Sequence, residues 1–233
     1  MLRSEGDGVP ARSEARQGPK TPPRYIVVEG PIGVGKTSLA LRLADTFGYD
    51  TLLENPADNP FLDRFYEAPR RNALPTQLFF LLQRAEQLRH WRQGALFEPQ
   101  HISDFLLEKD NLFAELTLDE AELELYRNVH EHLTLDPPTP DLVIYLQAPT
   151  PVLQQRIQRR GIPSEQEMDP AYLDRLCDAY ARFFHYYDAA PLLIVNAAEI
   201  DLVGDDDQYA RLVEVVRMPG SVRSYFNPHP SLI

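Results

Sequence analysis

An α/β fold with a five-stranded parallel sheet and helices on both faces is what this 233-residue sequence predicts. Three observations carry that reading. Short apolar runs of strand type alternate in order with stretches whose apolar residues recur at helical spacing. Capping, proline or glycine signals mark several of the junctions. No repeat interrupts the alternation, and strands that alternate with helices pair in parallel, with ligands at their carboxyl ends.

The elements follow in order. Tyr25–Val28 is an apolar run that ends in a glycine-rich turn, as a buried strand does. Lys36–Phe47 is helical, with Leu39, Leu43 and Phe47 on one face and Gly48 as its C-cap. Thr51–Glu54 reads as the second strand and Asn59–Tyr66 as a short helix. Leu74–Arg92 is a long helix, with Pro75 in its first turn and Leu78, Leu81, Leu82, Ala85 and Leu88 on one side. His101–Asp104 is the third strand. Thr117 and Glu120 have capping-box spacing for a helix to about His132. Leu142–Leu146 is the fourth strand, and Thr150 caps the helix after it, with Pro151 at the first position. Asp169-Pro170 opens a helix to about Tyr187. Leu192–Val195 is the fifth strand and Asp206–Arg217 the last helix. Residues 1–23 are polar and aperiodic and read as a disordered tail. A mitochondrial presequence is the alternative, against which Glu5, Asp7 and Glu14 count. Residues 218–233 read as an irregular tail, with Tyr225 and Phe226 available to pack it on the body. The domain itself is expected to span 24–217.

Composition bounds the function. Acidic residues outnumber basic ones 35 to 23, a net charge of −12, which argues against a partner that is a nucleic acid polymer. A nucleotide needs only one local cluster of donors. Cys177 is alone, so no internal disulfide forms. No apolar run reaches the roughly 18 residues of a membrane span, and the first residues lack a signal-peptide core. The expectation is a cytoplasmic protein with no membrane partner. Only three of the basic residues are lysines: Lys20 in the tail, Lys109 in an acidic stretch, and Lys36 between Gly35 and Thr37.

Lys36 belongs to Gly30-Pro31-Ile32-Gly33-Val34-Gly35-Lys36-Thr37, a G-x-x-x-x-G-K-T motif between strand and helix. Glycines let consecutive N–H groups converge on an anion, and the helix N-terminus adds partial positive charge. Lys36 reaches the β- and γ-phosphates, while the Thr37 hydroxyl can ligate Mg²⁺. Gly30, Gly33, Gly35, Lys36, Thr37 and Ser38 are therefore the expected ATP-binding set. A switch GTPase would carry Asn-Lys-x-Asp, and none of the three lysines follows an asparagine. A motor ATPase would need an acidic residue closing a strand well downstream, for which Asp104 is the best candidate. Small size favours a small-molecule kinase.

Further signals lie in spacing: Glu54 with Asn55-Pro56 after it, Phe65-Tyr66-Glu67-x-Pro69, Gln77, Arg84, Ser103-Asp104-Phe105, Lys109-Asp110-Asn111-Leu112-Phe113-Ala114, and Arg156-Ile157-x-x-Arg160-Gly161 before Glu165. In this order the set resembles the deoxyribonucleoside kinase family from about residue 25 to 200. The resemblance implies a P-loop kinase fold with a lid at about 156–168, ATP with Mg²⁺, a deoxyribonucleoside acceptor and a homodimer through the long helices. It implies that Glu54 is the general base toward the 5′-hydroxyl and that Thr37 and Asp104 serve the metal. Tyr66 and Glu165 would hold the 3′-hydroxyl, and Gln77, Arg84 and Asp110 would read the base. Arg156, Arg159 and Arg160 would be lid arginines over the triphosphate. Taken singly, Glu54 also reads as a solvated strand-end carboxylate, Gln77 as a helix-surface amide, and each arginine as charge at a helix C-terminus.

Two departures stand out. Many members read Asp/Glu-Arg-Ser where this chain has Asp104-Phe105-Leu106. That arginine supports the catalytic carboxylate and the phosphates, so Arg70, Arg71 or a lid arginine would have to substitute. Ile162 stands where the lid usually carries arginine. Both point to a slower or differently clamped kinase rather than a dead one. The bacterial deoxyguanosine kinase branch shares the first departure and a similar Lys-x-x-x-Phe-Ala stretch, which tilts the acceptor toward deoxyguanosine, with deoxyadenosine the alternative. Two other readings compete: a thymidylate-type monophosphate kinase, against which Phe105 counts, and a nucleotide-dependent switch without turnover.

Overall fold

A computed structural model describes residues 22–94, 100–133, 137–202, 204–220 and 222–227. Most of the expected disordered tail therefore lies outside the described residues. The sheet has six parallel strands in the order β2-β3-β1-β4-β5-β6: β1 (Tyr25–Glu29), β2 (Asp50–Leu52), β3 (His101–Ser103), β4 (Leu142–Gln147), β5 (Leu192–Asn196) and β6 (Arg223–Phe226). Strand β1 lies inside the sheet, with Ile26 opposite Ile102 on one side and Leu142 on the other. Ile26, Val27 and Val28 are fully buried, so alternation is absent from β1, as expected of a strand covered on both faces.

The sixth strand corrects the expected count of five. It falls in the segment read as irregular, pairs Leu192 with Arg223 and Val195 with Phe226, and buries Phe226. Arg223 ties it down by donating to the carbonyls of Phe184, His185 and Tyr187. Residues 228–233 of that tail lie outside the described residues.

The helices are α1 (Lys36–Phe47), α2 (Leu62–Glu67), α3 (Pro69–Gly94), α4 (Asp110–Thr117), α5 (Glu120–His132), α6 (Thr150–Arg160), α7 (Pro163–Gln166), α8 (Pro170–Tyr186) and α9 (Asp206–Arg217). Helix α3 begins five residues earlier than expected, at Pro69, so Pro75 is interior rather than in the first turn. Asn72 fastens this start to α2 by donating to the carbonyls of Arg64 and Ala68. The capping box of α5 is Asp119 with Glu122, not Thr117 with Glu120. Thr117 ends α4, and its hydroxyl returns to the Phe113 carbonyl at 2.7 Å. Pro149, not Thr150, is the N-cap of α6. Asp169 caps α8 as expected, accepting from the Ala171 N–H.

A main core holds the sheet and the helices on it, and a second, smaller cluster of Leu81, Ala114 and Tyr126 joins α3, α4 and α5. The main core runs from Leu39 and Leu43 on α1, through β1, β4 and β5, to Leu176, Tyr180 and Phe184 on α8. Tyr145 stacks on Phe184 with centroids 4.2 Å apart. No helix among the described residues is long and apolar enough to cross a membrane.

Candidate active site

The carboxyl ends of β1, β2 and β3 open on one cavity, where an open parallel sheet presents its ligand site. The turn after β1 forms its floor. Gly30 has φ +149°, and a side chain there would strike the Leu146 carbonyl oxygen. Gly33 has φ +80° and lies against Ile157 and the Leu153 carbonyl, 2.8 and 3.1 Å from where a Cβ would sit. Both positions are open to glycine alone, and they bring the loop's N–H groups round to the start of α1. Lys36, the first residue of that helix, donates to the Gly30 carbonyl at 2.8 Å. Burial pulls its pKa down, with Glu29 opposing.

Thr37 and Asp104 meet as the spacing implies. The threonine hydroxyl donates to Asp104 Oδ2 at 2.5 Å, and Asp104 Oδ1 accepts the Glu54 N–H at 2.8 Å. Burial pushes the Asp104 pKa up, although the Thr37 bond pulls it down. Among the described residues no group of three or more His, Cys, Asp or Glu side chains could hold a metal alone. Thr37 and Asp104 instead form a two-oxygen set of the kind that shares Mg²⁺ with phosphates and water.

Glu54 lies two residues beyond the end of β2. Its Oε1 accepts from Arg84 Nε at 2.7 Å and from Arg84 Nη2, and it faces Lys109 Nζ at 4.0 Å. Among the described residues, Oε2 receives no hydrogen bond. Burial pushes the carboxyl's pKa up, but Arg84, then Lys109 and Lys36, more than offset this and leave it at about 2. Glu54 is thus an anchored, ionised carboxylate with one oxygen free to take a proton.

Gln77, Phe80 and Arg84 lie along one face of α3, and all three line the cavity. Gln77 is 6% exposed, and among the described residues its amide makes no hydrogen bond. Asp110 does not line the cavity. It sits behind Arg84, bonds its Nη1 through Oδ1, and leaves Oδ2 without a partner among the described residues. Burial raises its pKa to about 6, with Arg84 opposing. Asp110 therefore orients the guanidinium that faces the cavity.

Tyr66 on α2 and Glu165 on α7 both line the cavity. Arg160 also lines it and donates to Glu165 Oε2 from Nε at 2.9 Å and Nη2 at 2.5 Å. Arg156 is not in this cavity. It lies across the outer side of the phosphate loop, bonding the carbonyls of Val34 and Ala197 at 3.3 and 2.6 Å. Phe65, Phe113 and Tyr172 supply apolar wall.

The sequence reading passed over Lys109. It is 2% exposed, lines the cavity, and pairs with the fully buried Glu29 at 2.7 Å. Phe105, where a cation was missed, is turned into the core. Arg70 and Arg71, offered as substitutes, do not line the cavity. The available signal was the apolar run Phe105-Leu106-Leu107, which buries the turn that carries Lys109.

Known proteins resemble this chain over most of its length. Residues 26–218 match the family described as deoxynucleoside kinase, a span that ends before β6. The chain is 39% identical over 198 residues to a deoxyguanosine kinase of Bacillus subtilis, covering 83% of this chain and 96% of that one. It is 28% identical over 201 residues to a deoxyadenosine/deoxycytidine kinase of the same organism, covering 82% and 90%. Among solved structures, a deoxyadenosine kinase from M. mycoides aligns with TM-score 0.71 and 24% identity, over 82% of this chain and 98% of that one.

Proposed function

The chain belongs to the deoxynucleoside kinase family, and from that premise we propose that it transfers the γ-phosphoryl group of ATP to the 5′-hydroxyl of a purine deoxyribonucleoside, deoxyguanosine before deoxyadenosine. One observation supports this above the others: Lys36 and Thr37 of the phosphate loop open on the same cavity as Glu54, whose Oε2 is free to accept the hydroxyl proton. Mg²⁺ fits the oxygen donors of Thr37 and Asp104 and, when bound, supplies charge neutralisation on the β- and γ-phosphates. Tyr66 and Glu165 would hold the sugar, which their lining of the same cavity supports, and Arg160 would link that contact to the lid through its bond to Glu165. Phe105 is buried and uncharged, and the cavity cations Arg84, Lys109 and Arg160 are each paired with a carboxylate, which disfavours a monophosphate acceptor. The homodimer would form through α3 and α5, which carry the half-exposed Leu82 and Leu125. Sedimentation at micromolar concentration tests this, and a monomer refutes it.

The base preference rests on Gln77 and Arg84. An amide offers a donor and an acceptor, and an arginine fork matches the O6 and N7 acceptors of guanine. Adenine puts a donor where the fork wants an acceptor, and buried groups left unpaired discriminate strongly. The 39% identical relative is a deoxyguanosine kinase. kcat/KM with the four deoxyribonucleosides is therefore expected to favour deoxyguanosine over deoxyadenosine by at least about tenfold, with pyrimidines lower again. A clear preference for deoxyadenosine or deoxycytidine overturns the base assignment. Absence of ADP release with all four overturns the kinase reading.

A further inference from the structure

Lys109 is hard to explain as structure alone. A buried ammonium is costly even when paired, and a well-packed neutral pair commonly serves stability as well or better. Its partner Glu29 already accepts three neutral hydrogen bonds: from the N–H groups of Gly30 and Leu106, each at 2.9 Å, and from the Tyr180 hydroxyl at 3.1 Å. Glu29 is thereby fixed by its own strand, the turn after β3 and α8. It is a rigid post to which one ammonium is tied.

That ammonium does not face inert packing. Its Nζ is 4.0 Å from Glu54 Oε1, the oxygen that Arg84 also holds, and it lies over the Phe113 ring at 5.3 Å. Glu54 thus has cations on it from three elements: Lys36 from α1, Arg84 from α3 and Lys109 from the turn before α4. The Arg84 guanidinium is shared with Asp110, whereas Glu29 forms an ion pair with Lys109 and with no other cation among the described residues.

The geometry points to Lys109 as a positioning residue for Glu54: moored to Glu29, it sets a second cation beside Arg84 at Oε1, which holds that oxygen and leaves Oε2 without a hydrogen bond among the described residues. It occupies the role left open by the apolar Phe105, from a site four residues further along the chain. The inference rests on the reading of Glu54 as the base.

The test is a set of steady-state measurements on the full chain with saturating ATP and Mg²⁺ and deoxyguanosine as acceptor. Lys109→Met is expected to lower kcat by about a hundredfold, the scale of one preorganised charge contact, while nucleoside KM stays within about threefold. Lys109→Arg should recover most of the loss. In a Glu54→Gln background, Lys109→Met should cost under about threefold, because the group it positions is already gone. If Lys109→Met does not fold, Glu29→Gln/Lys109→Met removes the pair together. That double variant should stay slow if Lys109 serves Glu54 and regain turnover if Lys109 only neutralises Glu29. Near-normal kcat in Lys109→Met, recovered turnover in the double variant, or a full hundredfold cost in the Glu54→Gln background each overturns the proposal. Normal turnover in Glu54→Gln alone would instead show that the reading of the base has failed.

Discussion

Lys36→Ala is expected to keep the fold and to lose about three or more powers of ten in kcat, the scale on which charge donors to a transferring phosphoryl group act. The side chain does little for stability. It bonds only carbonyls of its own loop, Gly30 at 2.8 Å and Pro31 at 3.5 Å, and the roughly 1.5–3 kcal/mol of a charged bond is set against the cost of burying the ammonium. Its value lies in what it can exchange those carbonyls for. A loose phosphoryl-transfer transition state spreads charge over the γ-oxygens, and an ammonium at the start of α1 adds to the helix dipole there. Burial already disfavours the charged form of Lys36, so an incoming anion relieves a penalty that the resting site carries. A coupled ADP-release assay measures the loss, and a thermal melt checks the fold. A variant with near-normal kcat and an intact melt refutes the P-loop assignment.

Glu54→Gln is the second large effect. It should leave nucleoside binding nearly unchanged and lower kcat by about 10²–10⁴, the contribution of a positioned base. The amide keeps the shape and can still accept from Arg84 but cannot take a proton. The depressed pKa sets when Glu54 acts. A carboxylate held this low by Arg84 is a weak base, so in the proposed role it would take the proton only as bonding to phosphorus makes the hydroxyl acidic. The sign for stability follows. Because the folded pKa lies below the usual carboxylate value of 4.5, Glu54 contributes stability fully above that value and loses it as pH falls toward 2. Kinetics between pH 5 and 9 should then show no acid limb from this group. Glu29 is no alternative base, since the N–H, hydroxyl and ammonium groups around it occupy both its oxygens. Normal turnover in Glu54→Gln, with a large loss at Glu67, would move the base.

The strands that matter to the site were legible because their physics is local. Tyr25–Val28 and Leu142–Leu146 are apolar without alternation, and the glycines after the first can serve only a turn. Lys36 and Thr37 were legible for the same reason, at a helix start after a glycine loop, whereas the roles of Glu54 and Asp104 came from the family resemblance. What escaped depends on distant partners. Arg223–Phe226 is short, sits between prolines and buries chiefly Phe226, so only its pairing with β5 makes it a strand. Lys109 stands between Glu108 and Asp110, which reads as solvated charge until the fold brings Glu29 and Glu54 to it. Thr117 and Asp119 both had capping chemistry, and the choice fell to Asp119 because α4 runs through Thr117.

The position of β1 inside the sheet also governs how the molecule assembles. Strand β1 has no partner close in sequence: it pairs with His101–Ser103 on one side and with residues from Leu142 onward on the other. Each pairing closes a long loop before any ladder bond rewards it. Chain entropy therefore makes the phosphate loop a late feature of folding, although it precedes both strands that flank β1. Until β4 arrives, Ile26, Val27 and Val28 form an uncovered sticky segment, the kind of exposed apolar strand on which a nascent chain aggregates or recruits a chaperone.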